Sequence, residues 1–153
     1  MAKSADGCVM LALSTFRRSE EAVSTAIQNA KSAKKLFLIY VVDVNLARYF
    51  IGTENKVGSD LKETREADLL ELHEQGGKDH VDGIAARARK EGIEIESSIQ
   101  VGRFAPVCLD MVREKKPSLI VTTRSRRPEW VKKVFGAPVI DLIEKAGCPV
   151  LVV

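Results

Sequence analysis

Three arginines in a short segment near the end of the chain are the residues best suited to bind an anion. Arg124, Arg126 and Arg127 follow an apolar run that ends at Thr123, and a guanidinium can bind a phosphate group through two parallel hydrogen bonds. Residues 124–133 contain five basic side chains and one acidic one, a net charge of +4. The remaining chain carries −1, which gives the whole chain its net charge of +3. The loop is therefore the first candidate for a ligand site.

Catalytic and metal chemistry have less support in the sequence. His73 and His80 are seven residues apart, which on a helix is two turns, or roughly 10 Å, too far for both to bind one metal ion. Neither histidine lies on a segment expected to reach the serines and threonines near the candidate loop, so no hydrolytic triad is predicted. Asp43 is the only acid at a predicted strand end, which argues against paired catalytic carboxylates. We therefore expect a binding protein and not an enzyme.

Length and composition favour one cytoplasmic domain. The 153 residues are 45% hydrophobic and 29% charged, enough to form a core without disulfides or a metal. No apolar run approaches the roughly 18 residues of a membrane span, and the N-terminus lacks the apolar stretch of a signal peptide. Cys8, Cys108 and Cys148 lie among apolar neighbours, as expected for thiols in a reducing cytoplasm. We expect a single domain over residues 1–153, without a membrane or nucleic-acid partner.

Strand and helix patterns alternate along the chain. Short apolar runs predict strands at residues 7–14, 36–42, 118–123 and 149–153, and an alternating pattern at residues 93–101 predicts a half-buried strand towards the edge of the sheet. Helical spacing of apolar residues predicts four helices, at residues 19–33, 61–90, 105–115 and 136–146. This alternation indicates a doubly wound α/β fold, a five-stranded parallel sheet with helices on both faces. In such a sheet, a loop that leaves a strand beside the topological switch point is where a ligand binds.

Three local features are also expected. The pair Gly76-Gly77 should weaken the long helix without breaking it, because each glycine costs about 1 kcal/mol relative to alanine. The third strand should turn its odd-numbered residues, from Ile93 to Val101, towards the core. The last helix should bury four apolar side chains: Val139, Ile140, Leu142 and Ile143.

Three stretches of sequence resemble a known family. Gly102 follows the third strand, the fourth strand reads Pro117-Ser-Leu-Ile-Val-Thr-Thr-Arg-Ser-Arg, and the chain ends Ala146-Gly-Cys-Pro-Val-Leu-Val-Val. With the order of elements, they resemble the universal stress protein family over essentially the whole chain. The resemblance implies an adenine nucleotide alpha hydrolase-like fold with strand order 3-2-1-4-5 and its switch point between strands one and four. It also implies a cytoplasmic homodimer with strand five, Pro149 to Val153, at the subunit contact.

The ATP-binding branch of that family has a glycine-rich loop after strand four. Its pattern is Gly-x-x-Gly, nine residues, then Gly-Ser or Gly-Thr, because backbone N–H groups must approach phosphates closely. Here the glycine positions fall on Thr123, Arg126 and Gly136, and the hydroxyl position falls on Ala137. Ser14 stands where the family has an aspartate at the end of strand one. The chain therefore resembles the non-ATP-binding branch more closely.

Two strand-end residues, Val41 and Val101, match positions that flank adenine in the ATP-binding branch, although apolar residues are needed there for packing in any case. If a ligand binds, the residues expected to contact it are Ser14, Val41, Val101, Thr123, Arg124, Arg126, Arg127, Gly136 and Ala137.

Three hypotheses of function follow from these residues. The leading one is a stress-response protein that acts by binding or partner interaction, without a cofactor and without ATP turnover. The second is a switch that binds ATP, another nucleotide or another anion through Arg124, Arg126 and Arg127. The third is a regulatory subunit that docks on a larger protein such as a transporter.

Overall fold

The computed structural model describes residues 7–15, 17–43, 59–124 and 138–153, and the side chains of these residues except 59–73 and 138. The elements in these ranges are β1 (Val9–Ser14), α1 (Glu20–Ala33), β2 (Lys35–Asp43), α2 (Ser59–Lys90), β3 (Glu94–Gly102), α3 (Phe104–Lys115), β4 (Leu119–Thr122), α4 (Pro138–Lys145) and β5 (Val150–Val152). The strands form one parallel sheet in the order β3-β2-β1-β4-β5. This confirms the predicted fold and strand order.

β1 is the centre of the sheet, and all six of its residues are buried. Its Met10 lies between Phe37 of β2 and Ile120 of β4. Because successive side chains of a strand point to opposite faces, Met10 packs in the core under α3 while Leu11 packs in the core under α1 and α2. A central strand covered on both faces favours apolar side chains, which explains the continuous apolar run from Val9 to Leu13 before the strand ends at Ser14.

α1 begins where the sequence predicts. The hydroxyl oxygen of Ser19 accepts a hydrogen bond from the backbone N–H of Ala22 at 3.1 Å, and Glu20 and Glu21 follow in the first turn. The side-chain cap satisfies a backbone donor, and the two acids interact favourably with the positive end of the helix dipole. The buried face of α1 is the predicted one, consisting of Ala22, Val23, Ala26, Ile27 and Ala30.

α2 runs through the glycine pair without a break, as predicted. Gly77 is buried, and a Cβ atom added there would lie 2.6 Å from the ring of Tyr40 on β2. Tyr40 is itself fully buried. The glycine therefore lets the helix backbone approach the sheet closely over a large aromatic ring, and this packing accounts for a residue that helix propensity alone disfavours. In the part of the chain that the structure describes, no helix is long and apolar enough to cross a membrane.

The predicted alternation of the third strand holds only in part. Ile93 is buried and Ile95 and Ile99 pack against the core, but Ser97 is exposed and Val101 is 45% exposed. The expectation that Val101 turns inward is wrong. β3 is an edge strand with a neighbour on one side only, and its residues are exposed or partly buried along its whole length.

The predicted core face of the last helix is also wrong at two positions. Leu142 is fully buried against the α3 side of the sheet, whereas Ile140 is 52% exposed and Ile143 is 49% exposed. α4 has eight residues and packs beside α3. Such a short helix at the edge of the sheet buries one side only, and the monomer leaves the remaining apolar residues uncovered.

Replacing Gly77 by alanine should lower the free energy of unfolding. The new methyl group would press on the buried Tyr40 ring, an overpacking that costs about 1–3 kcal/mol and outweighs the gain of about 1 kcal/mol in helix propensity. Gly83 on the same helix provides the matched control, since nothing lies within 4 Å of its added Cβ. Gly83→Ala should raise the free energy of unfolding by about 0.5–1 kcal/mol. Urea unfolding of both variants measures the difference, and equal effects would contradict the packing argument.

Candidate functional site at the switch point

Two threonines at the carboxyl end of β4 are buried at the switch point. The hydroxyl of Thr122 donates a hydrogen bond of 2.7 Å to the carbonyl oxygen of Ala12 on β1. The hydroxyl of Thr123 donates one of 2.8 Å to the carbonyl oxygen of Val153. Both hydroxyl protons thus connect neighbouring strands, a structural use that competes with any role as donors to a ligand.

A tight turn follows β1 and is held to the end of β2. Ser14 and Arg17 exchange backbone hydrogen bonds of 3.2 and 3.0 Å, and the N–H of Thr15 donates to the carbonyl of Val41 at 3.1 Å. The Thr15 hydroxyl in turn accepts a hydrogen bond of 3.3 Å from the N–H of Asp43. These contacts fix the direction in which the next side chains leave the turn.

Arg17 directs its side chain into the crevice beside β4. It is only 3% exposed, its Nη1 donates a 2.8 Å hydrogen bond to the carbonyl oxygen of Thr123, and its guanidinium lies 4.5 Å from the ring centroid of Phe104. A charged group is buried at acceptable cost only where such partners replace water. The guanidinium therefore bridges the end of β4 and the first residue of α3.

Arg18, the next residue, binds on the opposite face of the sheet. Its Nε and Nη2 donate hydrogen bonds of 3.0 and 2.7 Å to the hydroxyl oxygen of Tyr40, and its guanidinium lies 5.4 Å from the Tyr40 ring centroid. Phe104 belongs to the core under α3, whereas Tyr40 belongs to the core under α1 and α2. The two consecutive arginines thus connect the turn to both layers.

Sequence reasoning missed Arg17 and Arg18. The available signal was the presence of two cations directly after a strand buried on both faces, a place where a charged side chain must either reach solvent or find buried partners. Which of these happens depends on Thr123 and Tyr40, which are far away in the sequence.

The described candidate residues lie along the carboxyl edge of the sheet. Ser14 is paired in register with Val41, and both are buried. Thr123 is buried at the end of β4, while Arg124 and Val101 are exposed. The remaining candidates, Arg126, Arg127, Gly136 and Ala137, lie outside the described residues. The basic loop as an anion site therefore stays a prediction.

Comparison with known families identifies the type of domain. Residues 9–153 match the model of the universal stress protein family. The chain belongs to this family. The resemblance predicted from the sequence is confirmed at that level, while assignment to the non-ATP-binding branch stays a prediction. No curated protein matches the chain.

Solved structures of other universal stress proteins share the fold. The protein UspA from Lactobacillus plantarum is 16% identical with a TM-score of 0.69, over 95% of this chain and 97% of that one. A universal stress protein in complex with cAMP is 15% identical, with a TM-score of 0.54 over 96% of both chains. One from Arabidopsis thaliana with AMP bound is 12% identical, with a TM-score of 0.57 over 95% of this chain and 90% of that one. Together with the family match, these structures support a stress-response domain.

The cysteines of this universal stress protein are poor nucleophiles. All three are free. Cys108 is fully buried, and burial raises the pKa of its thiol far above the ordinary range. Burial also raises the pKa of Cys8 and of Cys148, which are half-buried. Since the thiolate is the reactive form, the raised pKa values keep these thiols neutral and slow to react. Among the described residues, no three His, Cys, Asp or Glu side chains are grouped as a metal site requires.

Alkylation with iodoacetamide should therefore be slow in the native protein. At mildly alkaline pH we expect Cys108 to resist modification, and Cys8 and Cys148 to react more slowly than an unperturbed thiol, because their raised pKa values reduce the thiolate fraction. The same protein unfolded in urea provides the control, in which all three should react at similar rates. Peptide mass spectrometry measures each site separately, and fast native labelling of Cys108 would contradict its burial.

Proposed function

We propose that this universal stress protein acts in the cytoplasm by binding a protein partner, without a cofactor and without ATP turnover. The observation that carries the proposal is the position of Arg17. Its buried guanidinium lies at the carboxyl ends of β1 and β4, bonded to the carbonyl of Thr123 and stacked on Phe104. The proposal treats residues 1–153 as one domain.

Arg17 competes with a nucleotide for the same region. In open α/β sheets, ligands bind in the crevice outside the carboxyl ends of the strands, at the switch point. A ligand that displaced the guanidinium would break its charge-assisted hydrogen bond, worth about 1.5–3 kcal/mol, and leave the Thr123 carbonyl without that donor. Part of the binding energy would be used to replace contacts that the protein already makes.

The loop sequence supports the same conclusion. Thr123 and Arg126 replace two glycines of the ATP-binding pattern, and Ala137 replaces its hydroxyl residue. A side chain at a glycine position restricts how closely the backbone N–H groups approach a phosphate.

A nucleotide or anion switch is the second candidate. It is favoured by the two structural neighbours with cAMP and AMP bound and by Arg124, which is exposed next to the end of β4. In this alternative Arg124, Arg126 and Arg127 bind the phosphates through side chains in place of the glycine-loop backbone.

Thermal unfolding with nucleotides distinguishes the two candidates. We expect no shift of Tm with millimolar ATP, ADP, AMP or cAMP in the presence of Mg²⁺. A ligand at about 100 times its Kd would add about 2.7 kcal/mol of stability, which corresponds to a shift of about 5–11 °C for a domain of this size. Such a shift, abolished in Arg126→Ala/Arg127→Ala and retained in the control Arg103→Ala, would establish the switch and overturn the first proposal.

The partner that the residues support best is a second copy of this chain. The two copies would be joined through the strand-five region, Pro149 to Val153. β5 is at the edge of the sheet, and Leu151 on this strand is 41% exposed. Ile140 and Ile143 on the preceding helix are also exposed. An edge strand with uncovered apolar side chains is a pairing surface that native proteins usually cover.

Sedimentation should show a dimer at tens of micromolar protein. We expect Leu151→Lys to shift the equilibrium to monomer, because it places a charge in the proposed contact. Val101→Lys is the matched control, since Val101 is an exposed valine at the end of the opposite edge strand, and it should leave the dimer intact. A wild-type monomer, or equal effects of the two lysines, would contradict assembly through β5.

A further inference from the structure

His80 on α2 has a buried nitrogen that makes no hydrogen bond to the residues that the structure describes. This atom is Nε2, which is inaccessible to solvent. The imidazole meets Tyr40 edge to face, with ring centroids 6.3 Å apart and an interplanar angle of 72°. Buried polar atoms in proteins are nearly always paired, so an unpaired one indicates either strain or a role.

The groups around His80 disfavour its protonated form. Arg18, from the turn after β1, carries a positive charge and is held by the hydroxyl of Tyr40. Glu20 of α1 is the nearby acid, but its carboxylate pairs at 3.0 Å with Arg87 of α2. On its own helix, His80 has two glycines one turn before it, Gly76 and Gly77, and Gly83 and Ile84 one turn after it. None of these four can accept a proton through a side chain.

Burial and the positive charge of Arg18 lower the pKa of His80 below its ordinary value of 6.5, and Glu20 opposes them. The neutral imidazole is therefore the form that fits the folded protein. Protonation would place a second cation beside Arg18 and add an N–H without an acceptor inside an aromatic contact.

We propose that His80 is a proton sensor whose protonation weakens the packing of α2 on the sheet. In its neutral form it permits the close contact in which the backbone at Gly77 lies against Tyr40. In its protonated form it repels Arg18 and loosens this contact. Arg18 is adjacent in sequence to Arg17, which is buried at the switch point, so the effect of acidification reaches the residue next to the proposed binding region. The sensor does not depend on whether that region binds a partner or a nucleotide.

The sign of the effect follows from linkage. Because the pKa of His80 is lower in the folded state than its ordinary value of 6.5, the open state binds protons more strongly. Neutral His80 stabilises the state in which α2 is packed on the sheet. This stabilisation is complete above pH 6.5, and it decreases as the pH falls from there towards the lowered pKa. The equilibrium constant for opening of α2 increases by up to about tenfold for each unit by which the pKa in the folded state lies below the ordinary value.

Hydrogen exchange of the α2 backbone tests the proposal. We expect the opening equilibrium of residues 77–88, corrected for intrinsic exchange, to increase severalfold between about pH 7.5 and about pH 5.5 in the wild type. His80→Gln, which cannot be protonated, should remove this increase. His73→Gln is the matched control, because it removes the only other histidine and should leave the increase unchanged. An increase of the same size in His80→Gln would overturn the proposal, as would its loss in His73→Gln.

A direct titration keeps the proposal testable if His80→Gln does not fold. In His73→Gln a single imidazole remains, so its proton NMR signal reports His80 alone. We expect a midpoint below 6.5 and an upward shift when the neighbouring charge is removed in Arg18→Gln. A midpoint at or above 6.5 in the parent variant would overturn the proposal.

Discussion

The buried guanidinium of Arg17 is the interaction on which the carboxyl edge of the sheet depends. A permanently charged group with 3% exposure must keep its partners, and those partners, the Thr123 carbonyl and the Phe104 ring, come from β4 and from the helix that follows β3. Arg18 makes the corresponding contact with Tyr40 on the opposite face. One short turn thus connects the two layers on either side of the sheet. The buried Arg17 cannot leave its site without losing contacts that replace water, whereas Arg18 is exposed and keeps access to solvent.

This arrangement changes the chemistry available at the switch point. The hydroxyls of Thr122 and Thr123 donate to backbone carbonyls of neighbouring chain segments, and burial raises the pKa of the Cys108 thiol, which keeps it neutral. What this edge offers instead is positive charge, which is buried at Arg17 and exposed at Arg124. Membership of the universal stress protein family gives the fold and the broad role.

The contact between α2 and β2 shows how a locally unfavourable residue is explained by its surroundings. Glycine in a helix is disfavoured by about 1 kcal/mol, yet Gly77 is the residue that lets the helix backbone pass over the Tyr40 ring. One turn further along the same helix, the His80 ring contacts Tyr40, and its Nε2 is buried without a hydrogen bond to the described residues. A packing solution that favours apolar contact therefore also creates a group whose protonation the fold resists.

The sequence by itself determined the elements and their order. The five strands, the cap at Ser19 and the continuous helix through Gly76-Gly77 follow from local spacing, and the family follows from the two ends of the C-terminal segment. For the candidate site, it correctly placed Ser14, Val41 and Thr123 at the carboxyl edge, since parallel strands bring those ends together. Only the tertiary structure decided that Arg17 is buried, that Tyr40 needs a glycine opposite it, and that Val101, Ile140 and Ile143 remain exposed. A residue pattern reports which face of an element is apolar, whereas burial and ionisation depend on partners from distant segments and on how far each covering layer extends.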